Sequence, residues 1–189
     1  MTERRRTRRK QASRLPGDPT PEQRVARILR VDHAGEYGAK RIYEGQLAVL
    51  GETSAGPVIR EMAEGEERHL ASFAEDLADR EVRPTVLLPL WHVAGYALGA
   101  ATALLGREGA MACTEAVEEV IDGHYARQER ALGESEPELT EKIREFRADE
   151  LGHRDTARAE GAASAPGYRV LRRSVRASTR LAIWLSERV

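Results

Sequence analysis

Cysteine is almost absent from this sequence. Cys113 stands alone, which excludes an internal disulfide and any cysteine-rich zinc site, and makes a reducing compartment the simplest reading. Aromatic residues are few, nine in 189, and β-branched runs are scarce, which argues against a sheet protein. An apolar signal-peptide core is missing, and residues 1–20 lack the apolar face of a transit peptide. Net charge is nearly absent too, at −1, but that figure hides a division. Residues 1–14 carry +6 and residues 166–189 carry +5, so residues 15–165 are left with −12. The acidic middle argues against gripping a phosphate backbone, so no nucleic-acid partner is expected. The basic ends suit an anionic surface.

Ala, Leu, Glu and Arg dominate what remains, and they favour helix. Residues 1–20 read as a basic disordered tail and residues 21–189 as one domain. Thr20 is a candidate N-cap, with Pro21 at the first helical position. Helical apolar spacing predicts helices over 21–50, 54–80, 107–132 and 137–160. A further helix over 166–189 alternates Leu171, Val175, Ala182 and Leu185 with Arg172, Arg176 and Arg180. That basic amphipathic pattern suits a membrane surface or the flank of a bundle. Residues 84–106 have no formal charge if His92 is neutral. They approach the length of a membrane span, yet prolines and glycines interrupt them. A spanning helix, a buried crossover and a segment lying in the headgroup layer all remain open.

Two Glu-x-x-His pairs carry the chemistry, Glu66/His69 and Glu150/His153. Three-residue spacing puts carboxylate and imidazole on one helix face. Each pair follows another glutamate at about the same interval: Glu36 thirty residues before Glu66, and Glu118 thirty-two before Glu150. The halves read as a repeated αα-hairpin, with 84–106 as the crossover. This predicts an all-α, ferritin-like four-helix bundle with a long apolar crossover and an extra C-terminal amphipathic helix. One such pair is weak evidence on a charged helix, but two in register are hard to reach by accident. Four carboxylates and two imidazoles balance two divalent ions and suit iron or manganese better than zinc. Glu119 competes with Glu118, since neighbours on a helix point about 100° apart. Tyr125 lies two turns beyond Glu118 on the same face, placed to hydrogen-bond near the centre or to pack. Asp32 is a candidate supporting acid. Asp122 and Asp149 read as surface or supporting acids, and His92 and His124 as non-ligands.

The stretches RVDHAGEYGAKRIYEGQLAVLG, GEERHL, RPTVLLPLWHVAGYALGAATALLGREGAMACTEAVEE, DELGHRD and LAIWLSER together resemble the demethoxyubiquinone hydroxylase family over residues 24–189. The resemblance implies a ferritin-like diiron monooxygenase of ubiquinone biosynthesis. It would hydroxylate the ring of a polyprenylated methoxy-benzoquinol with dioxygen and electrons from NADH. It implies iron ligands at Glu36, Glu66, His69, Glu118, Glu150 and His153, the four glutamates being catalytic, and so favours Glu118 over Glu119. Tyr125 and Arg180 are expected to contact a cofactor. The implied setting is a peripheral position on the cytoplasmic face of a bacterial inner membrane, or the matrix face of the mitochondrial one. Further copies of the chain or a lipid-presenting protein are candidate partners. The alternative is an iron-storage or peroxide-scavenging protein, which shares bundle and ligands but needs neither the apolar segment nor the basic amphipathic end.

Overall fold

The computed structural model describes residue 15 and residues 17–189; the basic head, residues 1–14, lies outside the described residues. Six α-helices and no strand occur among the described residues. They are α1 (Pro21–Leu50), α2 (Gly56–Asp79), α3 (Leu88–Ala103), α4 (Arg107–Leu132), α5 (Pro137–Ala159) and α6 (Tyr168–Ser186). The long helices α1, α2, α4 and α5 make a ferritin-like bundle, and α3 and α6 lie on its flank.

Local chemistry accounts for the helix starts. The Thr20 hydroxyl accepts from the Gln23 amide at 3.1 Å, and the Gln23 side chain accepts from the Thr20 amide at 2.8 Å. This reciprocal cap satisfies two donors that the first turn leaves orphaned. Pro57, Pro89 and Pro137 sit in the first turns of α2, α3 and α5, where a missing N–H costs nothing.

Segment 84–106 folds as the short helix α3, and no helix among the described residues is long and apolar enough to cross a membrane. Nor is α3 a buried crossover. Leu90 and Val93 on it, and Val86 and Leu104 flanking it, are exposed. Its inner side lies backbone to backbone on α1. A Cβ on Gly99 would stand 1.9 Å from the Ile42 carbonyl oxygen, and one on Gly45 2.2 Å from that of Tyr96. Only glycine permits so close an approach. Polar ties hold the seam: Arg41 Nε donates to the His92 carbonyl at 3.2 Å, and Trp91 Nε1 donates to Ser186 Oγ of α6 at 3.0 Å.

Helix α6 is fastened by charge. Glu119 takes Arg172, Arg176 and Arg158 together. Glu115, buried one turn earlier, accepts from Arg158 Nε at 2.8 Å and the Tyr168 hydroxyl at 2.7 Å. Thus Arg172 and Arg176 serve the bundle, while Arg169, Arg173 and Arg180 face outward.

The core has two main apolar clusters, with the candidate site between them. Val25, Leu29, Phe73, Leu77, Leu139 and Ile143 fill one end. Tyr43, Ile59, Met62, Met111 and Ala157 belong to the other. Each fully buried large side chain contributes roughly 1.5–3 kcal/mol.

Gly99→Ala should force α3 off α1 and cost about 1–3 kcal/mol, read as a lower thermal midpoint. Gly152→Ala, on the exposed side of α5 with no atom within 4 Å of the added Cβ, should be neutral or stabilise by up to about 1 kcal/mol. Equal effects at the two sites would refute the close seam.

Candidate metal centre

Each bundle helix carries its donor between an apolar turn below and another above. Glu36 lies between Leu29 and Tyr43 on α1. Glu66 and His69 lie between Met62 and Phe73 on α2, and Glu150 lies between Ile143 and Ala157 on α5. Packing at both ends therefore points all these donors inward.

They fall into two overlapping groups: Glu36, Glu66, His69 and Glu150, and Glu66, Glu118, Glu150 and His153. Within each group, one ligand atom per residue lies within 4.8 Å of the others. Glu66 and Glu150 belong to both, so they are the pair able to bridge two ions, while Glu36 and Glu118 serve one side each. His69 Nδ1 lies 3.2 Å from Glu150 Oε1 and 3.5 Å from Glu36 Oε2. His153 Nδ1 lies 3.1 Å from Glu66 Oε1 and 3.3 Å from Glu150 Oε2. All six sequence-derived candidates are thus brought together.

The neighbouring residues sort themselves by contact. Glu119 points away from the cluster towards α6, so Glu118 is the inward acid. The Tyr125 hydroxyl is buried and donates to Glu36 Oε1. Tyr43 donates to Glu118 Oε1 at 3.3 Å, a contact sequence reasoning missed. A signal for it existed. Tyr43 follows Glu36 by seven residues as Tyr125 follows Glu118 by seven, and each tyrosine serves the other half's glutamate. Asp149 Oδ2 lies 3.1 Å from His69 Nε2. Asp32 instead meets Gln128 at 2.7 Å and His124 at 3.5 Å, outside the cluster. Asp122 takes Arg147 at 2.6 Å. Arg180 also stands outside the cluster, in a 380 Å³ groove with Val120, Arg127, Trp184 and Glu187.

The cluster is short of positive charge. Burial lifts the Glu66 and Glu118 carboxyls well above the usual carboxylate range, and the charge of Glu150 lifts them further. Burial opposes charge on His69, but Glu150 and Glu36 overcome it and push that imidazole up to about 11. His153 is raised in the same way, chiefly through Glu150. Burial pushes Glu150 up as well, yet its bonds to His153 and His69 win and bring it to about 2. Without metal, then, protons on both imidazoles and on Glu66 and Glu118 offset the buried charge. Glu36 Oε2, Glu66 Oε1, His69 Nδ1, Glu150 Oε2 and His153 Nδ1 are all buried without an aligned hydrogen bond. Orphaned inward donors of this kind, all oxygen or imidazole nitrogen, fit a pair of iron or manganese ions.

A family model described as ubiquinone biosynthesis protein COQ7 matches residues 23–186. The chain belongs to this family. It is 58% identical over 177 residues to the 3-demethoxyubiquinol 3-hydroxylase of Rhodospirillum rubrum, covering 93% of this chain and 84% of that one. It is 57% identical over 169 residues to the NADPH-dependent 3-demethoxyubiquinone 3-hydroxylase, mitochondrial, of Homo sapiens (87% and 78% covered). The 5-demethoxyubiquinone hydroxylase, mitochondrial, of Saccharomyces cerevisiae is 42% identical over 180 residues (86% and 77% covered). The COQ7 relatives are hydroxylases by name, which favours the hydroxylase reading over iron storage.

Metal-free protein should lose stability as pH rises. The unfolded His69 gives up its proton near 6.5 and the folded one near 11. The stability from that proton is complete below 6.5 and is lost on the way to 11. Glu66 and Glu118, also raised, act in the same sense from 4.5 upward. Glu150 acts oppositely, but only as pH falls from 4.5 towards 2. Calorimetry should therefore find a lower melting temperature at pH 9 than at pH 6, with added Mn²⁺ flattening the slope. A metal-free midpoint that holds or rises over this range would contradict the charge balance.

Proposed function

We propose that this chain is a diiron monooxygenase that hydroxylates the ring of a polyprenylated demethoxyubiquinol in ubiquinone biosynthesis. The observation that carries the reading is the sharing of Glu66 and Glu150 between two four-donor groups buried in the bundle. The names of the COQ7 relatives supply the reaction and the substrate class.

Glu36, Glu66, His69, Glu118, Glu150 and His153 would hold the two irons, Glu66 and Glu150 being the acids within reach of both positions. When bound there, the iron pair supplies activation of dioxygen for transfer of one oxygen atom to the ring. The remaining work belongs to the protein. Tyr125 and Tyr43 hold Glu36 and Glu118 in place by donating to one oxygen of each. Burial keeps both phenols protonated, aided by the charges of Glu36 and Glu118 respectively, so they remain donors. The apolar clusters at either end keep bulk water out.

A 240 Å³ groove between α1, α3 and α6 would receive the quinol head. Gly35, Ile42, Trp91, Leu98, Val117 and Ile183 are among its lining residues. Gly35 and Val117 precede Glu36 and Glu118 in sequence, so the groove is lined by the same stretches of α1 and α4 that carry two of the donors. The exposed Val86, Leu90, Val93, Leu181 and Trp184, together with the outward Arg173 and Arg180 of α6, support a peripheral membrane position. A polyprenyl tail resists leaving lipid by about 0.8 kcal/mol per CH₂, so the enzyme goes to the substrate. The bacterial cytoplasmic face remains the proposed location, with the mitochondrial matrix face as the alternative. Reduced nicotinamide is the proposed electron source. NADH is expected from the resemblance, whereas the human and mouse relatives are named NADPH-dependent.

A strain lacking the gene should accumulate the demethoxy quinone and be rescued by the wild-type chain. Glu118→Ala should lose bound iron and lower hydroxylation at least about 100-fold, beyond the 10–100-fold typical of a supporting residue. Full hydroxylation by this variant would sink the proposal. Mineral growth beyond two irons per chain, in aerated ferrous solution, would favour storage instead.

A further inference from the structure

The two halves of the donor cluster match in their ligands and differ behind them. The residue before Glu150 on α5 is Asp149, and the residue before Glu66 on α2 is Gly65. Each stands against the other half's imidazole. Asp149 Oδ2 is 3.1 Å from His69 Nε2. A Cβ on Gly65 would be 3.1 Å from His153 Nε2. The place that holds a carboxylate behind His69 therefore holds only a hydrogen atom behind His153. The surroundings differ in the same sense. His69 is 1% exposed and stacks on Phe146, with ring centroids 4.0 Å apart. His153 is 15% exposed and meets Tyr43 edge-on at 6.5 Å.

We propose that Asp149 is a positioning residue for His69 and that it makes the two metal positions unequal. The position of Glu36, Glu66, His69 and Glu150 holds its ion more tightly than the position of Glu66, Glu118, Glu150 and His153. This rests on the metal-binding reading above. Both histidines turn Nδ1 towards the carboxylates, so a ligating ring carries its proton on Nε2. A carboxylate accepting that proton's hydrogen bond fixes the tautomer, stops ring rotation and strengthens the nitrogen donor. His69 has such an acceptor. His153 gains none from Gly65, and its ring is freer to swing. Ion affinity typically changes 10–100-fold with a partner of this kind. Asp149 is 49% exposed, which puts the effect near the lower end, about tenfold.

The test is an anaerobic titration of metal-free full-length protein with Fe²⁺. Occupancy is read by near-infrared circular dichroism and checked by elemental analysis. Wild type should fill in two resolvable steps. Asp149→Ala should weaken the tighter step about tenfold and leave the weaker one in place. Asp149→Asn keeps an acceptor oxygen without the charge and should fall between. In the Co²⁺-loaded protein, one shifted imidazole N–H should exchange slowly with solvent in wild type and rapidly in Asp149→Ala. A purely structural loss would lower both steps and the helical signal together, and that result overturns the proposal. So does an unchanged titration in both variants. Wild type that takes up no Fe²⁺ would sink the metal reading itself, whereas two ions bound with equal affinity would sink only the inequality.

Discussion

Four carboxylates are buried in the middle of this bundle, and the rest of the molecule is arranged around that electrostatic difficulty. Two unit charges 4.8 Å apart repel by about 3–4 kcal/mol at an effective dielectric near 20. Several such pairs would together rival the whole net stability of a domain, about 5–15 kcal/mol. Positive charge inside the cluster must therefore be part of the folded state. Protons can supply it, at the cost of raised affinities on Glu66, Glu118, His69 and His153. Two dications supply the same charge while using the orphaned donor atoms that protons leave unsatisfied. Metal and proton thus compete for one set of atoms, and the bundle is closed around whichever is present.

The scaffold holds the cluster from outside in two ways. Buried apolar residues on either side of the donors of α1, α2 and α5 set where those helices point, so repulsion cannot be relieved by rotating one of them without exposing core. Crossed hydrogen bonds then tie the halves: Tyr43 of α1 reaches Glu118 of α4, and Tyr125 of α4 reaches Glu36 of α1. Each phenol occupies one oxygen of an acid that belongs to a single group, Glu36 or Glu118. Glu66 and Glu150, the two acids shared between the groups, lie instead against the imidazoles of the opposite helix. The acids of a single group and the acids shared between groups are thus distinguished by their supports as well as by their positions.

What could be read from the chain follows from range. The Glu-x-x-His pairs and their leading glutamates were legible because helix periodicity alone fixes which side chains share a face. Periodicity alone did not choose between Glu118 and Glu119; only the resemblance favoured Glu118. The choice is decided by Arg158, Arg172 and Arg176, two of them on a helix some fifty residues away. Tyr43 was overlooked although its spacing repeats that of Tyr125, because a tyrosine on an amphipathic helix looks like ordinary core until its partner is known. Asp149 read equally well as surface or support; its exposure fits the first and its bond to His69 the second. Segment 84–106 announced its apolarity but not its orientation, which depends on glycines of α1 and α3 meeting backbone to backbone.

That seam has a consequence for how a lipid substrate and a charged centre can share so small a domain. A side chain between α1 and α3 would widen the gap and carry α3 outward. With glycines there, one thin helix divides two environments. Its outer residues, Leu90 and Val93, face outward, while Trp91 and Leu98 line the groove beside the cluster. Trp91 is also bonded to Ser186 of α6, so two of the groove's walls are joined at that point. If the proposed membrane position holds, a quinol reaching the groove would need to pass only the thickness of a single helix. The thickness of the wall that α3 makes on α1 is then set by backbone contact, a spacing that compresses little.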